Sequence, residues 1–344
     1  MTNQHITGPA HPTMFETKPV NIIMEQAASA AEPVALVSGL WNEGEVACLF
    51  AESNVGKSIF AVQIAEKIAE TQKVLYFDCE LSDKQFQVRY SELENGAIHV
   101  FPDHFLRATI APERLVEGDF CENFLNDLEK EAIITGAKII ILDNLSYACI
   151  TSEKGDDAGK FMLRLKRIQM MHGWSILVIA HTPKKEPFTV INSNDLAGSK
   201  KLFNFFDSVF ALGRSREEGL RYLKQLKYRA GEFTYTEKNV AVFELVEAED
   251  GNLFLDHLYN DEEYNQLYRP TSYNLEMEDE VMQLSRKGWS VRAIAEKLQI
   301  GKSTVQRIRA RNEFSPKIYG QEEDKAEQTV CFFTYSRKVP AMTS

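Results

Sequence analysis

An apolar strand-like run, Val46–Ala51, passes without a break into ESNVGKS and then into IFAVQIAEKIAE, whose apolar residues recur at helical spacing. A buried strand that enters a helix across so short a loop constrains the fold more than anything else in the chain. In such a loop the backbone N–H groups converge on phosphate oxygens, and the helix N-terminus adds the positive end of its dipole. The candidate binding residues are Ala51, Glu52, Ser53, Asn54, Val55, Gly56, Lys57 and Ser58. Gly56 lets the backbone approach closely, Lys57 can neutralise β/γ oxygens, and the Ser58 hydroxyl can ligate Mg²⁺. The expected ligands are therefore ATP and Mg²⁺. Ala51 stands where glycine is commoner in loops of this kind.

Around this loop, apolar runs alternate with amphipathic stretches, the pattern of a mainly parallel sheet covered by helices. The strand candidates are Val46–Ala51, Val74–Cys79, Ile139–Leu142, Ile176–Ala180 and Ser208–Leu212. The helix candidates are Lys57–Glu70, Asp83–Leu93, Arg114–Thr135, Ala158–His172 and Asp195–Phe205. Beyond Leu212 the runs Gly219–Leu226, Val240–Val246 and Leu253–Leu258 are separated by polar turns and predict an antiparallel extension of the same sheet. The fold class is thus α/β, a P-loop core with a small all-α domain behind it. The expected segments are an N-terminal arm (1–30), the nucleotide-binding domain (31–258), an acidic, tyrosine-rich linker broken by Pro270 (259–274), a helical DNA-binding domain (275–313) and a tail (314–344).

Charge separates the last domain from the rest. The 344-residue chain carries a net charge of −11, which alone argues against a protein that simply coats nucleic acid. Between Arg286 and Lys317, however, nine Lys/Arg face two Glu, a local balance of +7. No apolar run approaches the ~20 residues needed to span a bilayer, and the N-terminus has no basic region followed by an apolar stretch. Five scattered cysteines form no CxxC pair, and their odd number argues against a disulfide framework. A reduced, cytoplasmic setting is expected.

Phosphoryl transfer to water also needs a metal anchor and a group that orients or deprotonates the nucleophile. Asp143 closes the apolar strand KIIIL, and Glu80 directly follows VLYFDC. Either could instead be an ordinary turn or capping acid. The motifs AESNVGKS, FDCELS with Arg89 nine residues on, IIILDN, ILVIAHTPKK, DLAGSKKLFNFFDSVFAL and LKQLKYRAGE follow one another in order. Together they make the core from about Gly39 to Leu258 resemble the RecA-like hexameric helicases, the DnaB-like bacterial replicative helicases and especially the plasmid RepA-type ATPases. The resemblance implies Glu80 as catalytic base, Asp143 with Ser58 at Mg²⁺, and His181 as sensor of the γ-phosphate. It implies that Lys227 and Arg229 reach a neighbour's site, with Arg229 the decisive group, and hence a homo-oligomer, which in that group is a hexameric ring. A large helical domain ahead of the core, as in chromosomal replicative helicases, is not expected, which favours the RepA-type comparison.

Two regions are candidate DNA contacts. The loop after His181 carries Lys184 and Lys185, and in RecA-like motors the corresponding loops touch single-stranded DNA; the plain alternative is a surface loop. The C-terminal EDEVMQLSRKGWSVRAIAEKLQIGKSTVQRIRARN resembles a resolvase-type helix-turn-helix. Ser290 is placed to cap VRAIAEKL, Gln299–Gly301 to make the tight turn, and Ser303 to cap or open TVQRIRAR. Ile294, Ala295, Leu298, Val305 and Ile308 fall at core spacings. Lys302, Ser303, Thr304, Gln306, Arg307, Arg309 and Arg311 are left on or near the exposed face, where such side chains pair with base edges and phosphates of duplex DNA. A helical protein-docking module is the alternative. Taken together, the sequence points to an ATP-driven, DNA-binding helicase or helicase-like ATPase of a plasmid or mobile element. Its rivals are an ATP-switched DNA-binding regulator that does not unwind and a recombinase-like filament former.

Overall fold

The computed structural model describes residues 15–92, 96–115, 118–145, 155–183, 188–196, 200–267 and 272–313. Two units separate, Met1–Val34 and Ala35–Ser344. The first holds a helix, Val20–Ala28, that starts after Pro19 and buries none of its residues.

In the second unit, β1 (Ala35–Val37) and β2 (Trp41–Asn42) pair as a short hairpin. The parallel strands are β3 (Val46–Ala51), β4 (Val74–Asp78), β5 (Phe105–Thr109), β6 (Ile139–Asp143), β7 (Ser175–His181) and β8 (Ser208–Arg214). The antiparallel extension is β9 (Leu220–Tyr228), β10 (Val240–Glu247) and β11 (Leu253–Asp261). All nine belong to one sheet, in the order β11-β10-β9-β8-β3-β7-β6-β4-β5.

Both faces of this sheet are covered, which is why its central strands read as continuous apolar runs. Along β3, Val46, Cys48 and Phe50 point into one core, together with Leu125, Leu128, Phe161 and Leu165. Those partners come from the helices Phe120–Thr135 and Gly155–His172. Ala47, Leu49 and Ala51 point into the other core, with Phe60, Ala61, Ile64 and Ile68 of the helix Lys57–Ala69. Several of these side chains are fully buried, and each such burial stabilises the fold by about 1.5–3 kcal/mol.

Several expected helices are shorter than their apolar spacing suggests. The helix from Asp83 stops at Arg89, and the aromatic ring of Tyr90 turns inward to full burial. Arg114 belongs to a 3₁₀ turn, Pro112–Arg114, and the helix itself begins at Phe120, where the Asp119 carboxylate accepts from the Glu122 N–H at 3.2 Å. The expected Asp195–Phe205 helix divides into a 3₁₀ turn at Ser193–Asp195, capped by Asn192, and a helix Lys200–Phe205. The stretch read as a linker starts inside β11 and contains a further helix, Glu263–Leu267, held by the burial of Glu263 and Gln266.

The C-terminal helices are Ser272–Arg286, Val291–Lys297 and Lys302–Glu313. They close around a third apolar cluster of Val281, Leu284, Ile294, Ala295, Val305 and Ile308. Among the described residues no helix is long and apolar enough to cross a membrane.

Candidate active site and nucleic-acid interface

Strand register brings the candidate residues to one rim. Ala51 on β3 lies opposite His181 on β7, and Asp78 on β4 lies opposite Asp143 on β6. The carboxyl ends of four parallel strands therefore meet where β3 enters the helix Lys57–Ala69, the place where open α/β sheets bind ligands. Residues Ser53, Lys57, Ser58, Glu80, Arg89 and His181 line a cleft of about 300 Å³ there.

Gly56 precedes the helix at φ 107°, a left-handed conformation that glycine adopts without the penalty of a side chain. Asn54 is also left-handed, at φ 61°. Among the described residues, the N–H groups of Asn54, Val55 and Gly56 find no protein acceptor, the condition expected of an anion cradle. Lys57 is buried, and burial lowers its pKa while Asp143 and Glu80 pull it back up.

Asp143 is 2% exposed. Its Oδ2 accepts from the Tyr76 hydroxyl at 2.6 Å. Burial pushes its pKa up, helped by the charges of Glu80 and Asp78, and the Tyr76 and Ser58 hydroxyls work in the other direction. Oδ1 is buried without a well-formed hydrogen bond of its own. An unsatisfied carboxylate oxygen beside a helix-terminal serine hydroxyl fits Mg²⁺, which takes one or two protein oxygens and completes its shell with phosphate and water.

Glu80 faces this pair from the turn after β4. Asp78 shapes that turn, its Oδ1 accepting from the N–H groups of Glu80 at 3.0 Å and Leu81 at 2.9 Å. Arg107 of β5 braces Asp78 from behind, with Nε 3.0 Å from Oδ2. The same guanidinium reaches Asp83 at 2.7 Å and lies over the Phe86 ring. The Glu80 carboxylate accepts from the Asn144 side-chain amide and lies 3.3 Å from His181 Nε2. The Asn144 amide is also 3.1 Å from that nitrogen. Nε2 can donate to Glu80 or accept from Asn144 but not both at once, so the position of the imidazole proton selects the partner. The hydrogen bond from His181 holds the Glu80 carboxyl below the usual carboxylate range, against the opposing effect of burial.

Sequence reasoning singled out Lys57, Ser58, Glu80, Asp143 and His181, and the fold gathers all five here. It missed Tyr76, Asp78, Arg107, Asn144, Arg214 and Arg221. Asn144 had a visible signal, a polar residue directly after the strand-closing acid, whereas the Asp78–Arg107 pair spans 29 residues and has none. Arg214 Nη2 donates to the Ser53 and Asn54 carbonyls at 3.1 and 3.2 Å, and Arg221 Nε donates to the Val55 carbonyl at 2.9 Å.

Lys227 and Arg229 lie away from this rim. Lys227 pairs in register with Val209, and Ala47 pairs with Ser208, so both cations sit at the sheet edge where β3 begins. About four residues of strand, roughly 13 Å, separate that edge from the loop. Arg229 forms an ion pair with Asp207 at 2.9 Å, and Lys227 donates to the Phe203 carbonyl at 3.1 Å. Burial and the neighbouring Arg229 charge lower the Lys227 pKa. Neither cation can serve the cleft of its own chain.

In the C-terminal helices, the Ser290 hydroxyl accepts from the Ala293 N–H at 3.2 Å, and Gln299 makes the turn at φ 53°. The helix expected to open at Ser303 starts one residue earlier, at Lys302, with the Gly301 carbonyl accepting from Thr304 and Val305. Lys302, Ser303 and Gln306 are exposed and Thr304 is half-buried. Arg309 faces inward more than its spacing suggested: its guanidinium donates to the Ser285 hydroxyl at 2.7 Å and the Trp289 carbonyl at 2.9 Å, tying the last helix to the first. The side chains of Arg307 and Arg311, and all of Lys184 and Lys185, lie outside the described residues.

A parallel sheet with a phosphate-loop rim, extended by antiparallel strands and followed by a helix-turn-helix, defines a P-loop ATPase of RecA-like fold. The chain belongs to the AAA domain family, which it matches over residues 10–187, and residues 280–316 match the homeodomain-like domain family. The DNA repair protein RadA of Aquifex aeolicus is 25% identical over 210 residues, 60% of this chain, and the chain spans only 41% of that relative's length. A solved structure of an isolated ATPase domain shares the fold at 12% identity and a TM-score of 0.50, covering 68% of this chain and 96% of that one. A KaiC-like protein from Pyrococcus horikoshii OT3 aligns over 65% of this chain and all of its own, at 16% identity and a TM-score of 0.49.

Proposed function

We propose that this chain is a DNA-dependent ATPase of helicase type, in which a RecA-like core hydrolyses ATP·Mg²⁺ and the helix-turn-helix holds duplex DNA. The observation that carries the reading is Glu80, fixed across the cleft from Lys57 and joined to Asn144 and His181.

The loop N–H groups and Lys57 bind the β- and γ-phosphates. Ser58 and Asp143 would hold Mg²⁺, which would supply positive charge to offset that of the phosphates. Glu80 orients a water molecule toward the γ-phosphorus and takes its proton as the new P–O bond forms and the bond to the β-phosphate oxygen breaks. The leaving electron pair stays on ADP. Asn144 and His181 keep the Glu80 carboxylate pointed at the water, and His181 is the group placed to register the γ-phosphate. Lys227 and Arg229, pointing away from their own cleft, act in a neighbouring subunit, where a guanidinium would stabilise transition-state charge. That role calls for a homo-oligomer, and a ring suits it.

Lys302, Ser303, Thr304, Gln306, Arg307 and Arg311 form the duplex-facing side of the helix-turn-helix, and Lys184 and Lys185 contact single-stranded DNA from the core. Replication or mobilisation of a plasmid or mobile element is the use that best joins a motor core to a duplex-reading module. A second reading, an ATP-switched regulator, rests on the helix-turn-helix, since a motor seldom needs site-specific duplex recognition. Unwinding of a forked DNA, lost in Lys57→Ala and Glu80→Gln, would support the motor. Tight binding to one duplex site with slow hydrolysis and no unwinding would support the regulator.

A further inference from the structure

Arg214 closes β8 and Arg221 stands directly opposite it on the antiparallel β9. Two like charges in facing positions on adjacent strands repel one another. Burial and the Arg214 charge together depress the Arg221 pKa. Among the described residues, neither guanidinium forms an ion pair with a carboxylate. Their hydrogen bonds run instead to three consecutive loop carbonyls, Ser53 and Asn54 from Arg214 and Val55 from Arg221, with Arg221 also donating to the Leu220 carbonyl.

Peptide planarity gives this arrangement a consequence. In a trans peptide the carbonyl of one residue and the N–H of the next point in opposite directions. Holding the carbonyls of Ser53, Asn54 and Val55 toward the arginines turns the N–H groups of Asn54, Val55 and Gly56 the other way. Among the described residues, these N–H groups find no protein acceptor, and Asn54 and Gly56 occupy left-handed backbone conformations. Neighbouring structure makes room for the brace. A Cβ at Gly213 would lie 2.4 Å from the Tyr222 ring, so glycine there lets that ring lie across β8 just before Arg214.

We propose that Arg214 and Arg221 are positioning residues for the nucleotide: a pair of cations that hold the outer carbonyls of the phosphate loop and so aim its amides at the triphosphate. The pair also places two positive charges beside the loop, with Arg221 on the lining of the cleft itself, close to the most highly charged part of the ligand. This rests on the reading of the cleft as an ATP site. Because the amides contact phosphate before and during the reaction, losing the pair is expected to weaken binding more than it slows chemistry.

The test uses the full chain with Arg214→Met and Arg221→Met, singly and together, and the Arg→Lys versions of each. Methionine keeps an unbranched apolar stem and removes charge and donors. The probe is a fluorescent ATP analogue with Mg²⁺, followed by steady-state ATP hydrolysis. Each Met variant is expected to raise Kd and KM by about tenfold, on the scale of a charged hydrogen bond, and the double variant by more. At saturating ATP the rate should stay within about threefold of the parent. Nucleotide-free melting should be near that of the parent, the upward shift of Tm on adding ATP·Mg²⁺ should shrink, and the Lys versions should recover part of the affinity. Unchanged nucleotide affinity in the double Met variant overturns the proposal. So does a fall in kcat with no change in KM. Failure of the parent chain itself to bind the analogue would instead bring down the ATP-site reading on which the proposal rests.

Discussion

The rim sets two carboxylates in opposite surroundings, and these suit the different roles proposed for them. Asp143 is sealed between strands and its pKa is raised by burial, so it gains most from a cation on its unsatisfied oxygen. Glu80 is half-exposed and kept ionised by the hydrogen bond from His181, so it can accept a proton at neutral pH. Glu80→Gln is expected to lower kcat by roughly 10²–10⁴-fold while ATP binding persists, measured by hydrolysis and by analogue binding in the same preparation. Lys57→Ala should instead weaken binding by about 10–100-fold, the worth of a charged hydrogen bond. Because the Glu80 pKa is lowered, its basic form persists well into acid and activity should fall only as pH drops through that lowered value. In Asn144→Ala the Glu80 carboxylate loses a donor that it shares with His181, and a fall in kcat of about tenfold at nearly constant KM is expected. Sequence motifs exposed the acids and the lysine because Asp143 closes a strand, Glu80 follows one within two residues and Lys57 opens a helix. They could not expose Tyr76 or Arg107, whose partners are met only after the strands have paired.

At the scale of elements, apolar runs revealed the parallel strands that are buried on both faces. β5 escaped because FLRAT is a half-buried edge strand whose arginine breaks the apolar pattern. The loop ahead of β5 and the turn between β10 and β11 are tied to the phosphate-loop helix by His99, whose Nε2 lies 2.6 Å from Glu66 and whose Nδ1 lies 2.7 Å from Asp250. Glu66 also accepts from Asn252, and the Phe101 ring packs against the imidazole. Carboxylate oxygens only accept, so both bonds require a doubly protonated ring. Burial pulls the His99 pKa down, but the hydrogen bonds and charges of Glu66 and Asp250 outweigh it and leave it raised. A group raised on folding stabilises fully below its unfolded pKa, near 6.5, and that contribution is lost as pH rises through the higher folded value. His99→Gln should therefore be less stable than the parent in mild acid and converge with it in alkali, as read from Tm against pH. In the helix-turn-helix, Ser290→Ala should cost about 1 kcal/mol of local stability and weaken duplex binding without changing the basal ATPase rate.

Across the whole molecule, an α/β core is followed by a helix-turn-helix, and both kinds of structure were legible from apolar spacing. Less legible was the stretch between them. Glu263, read as part of an acidic linker, is buried, forms an ion pair with Lys224 and accepts from the Ile191 N–H at 2.8 Å. It thereby fastens the start of that stretch to the loop that follows His181. Removing one partner of a buried pair strands the other charge, so Glu263→Ala should lower stability by about 3–5 kcal/mol, measured by denaturant unfolding. Assembly is testable by complementation. If Arg229 works in a neighbouring subunit, Arg229→Ala mixed with Lys57→Ala should hydrolyse ATP faster than either variant alone.

The most direct test of the account is steady-state hydrolysis of ATP·Mg²⁺ by the full chain, with and without single-stranded DNA, beside Lys57→Ala and Glu80→Gln. The account expects hydrolysis that DNA accelerates, nucleotide affinity lost with Lys57, and turnover lost with Glu80 while binding remains. Hydrolysis that persists in Glu80→Gln, or a parent chain that binds no nucleotide in magnesium, would contradict it.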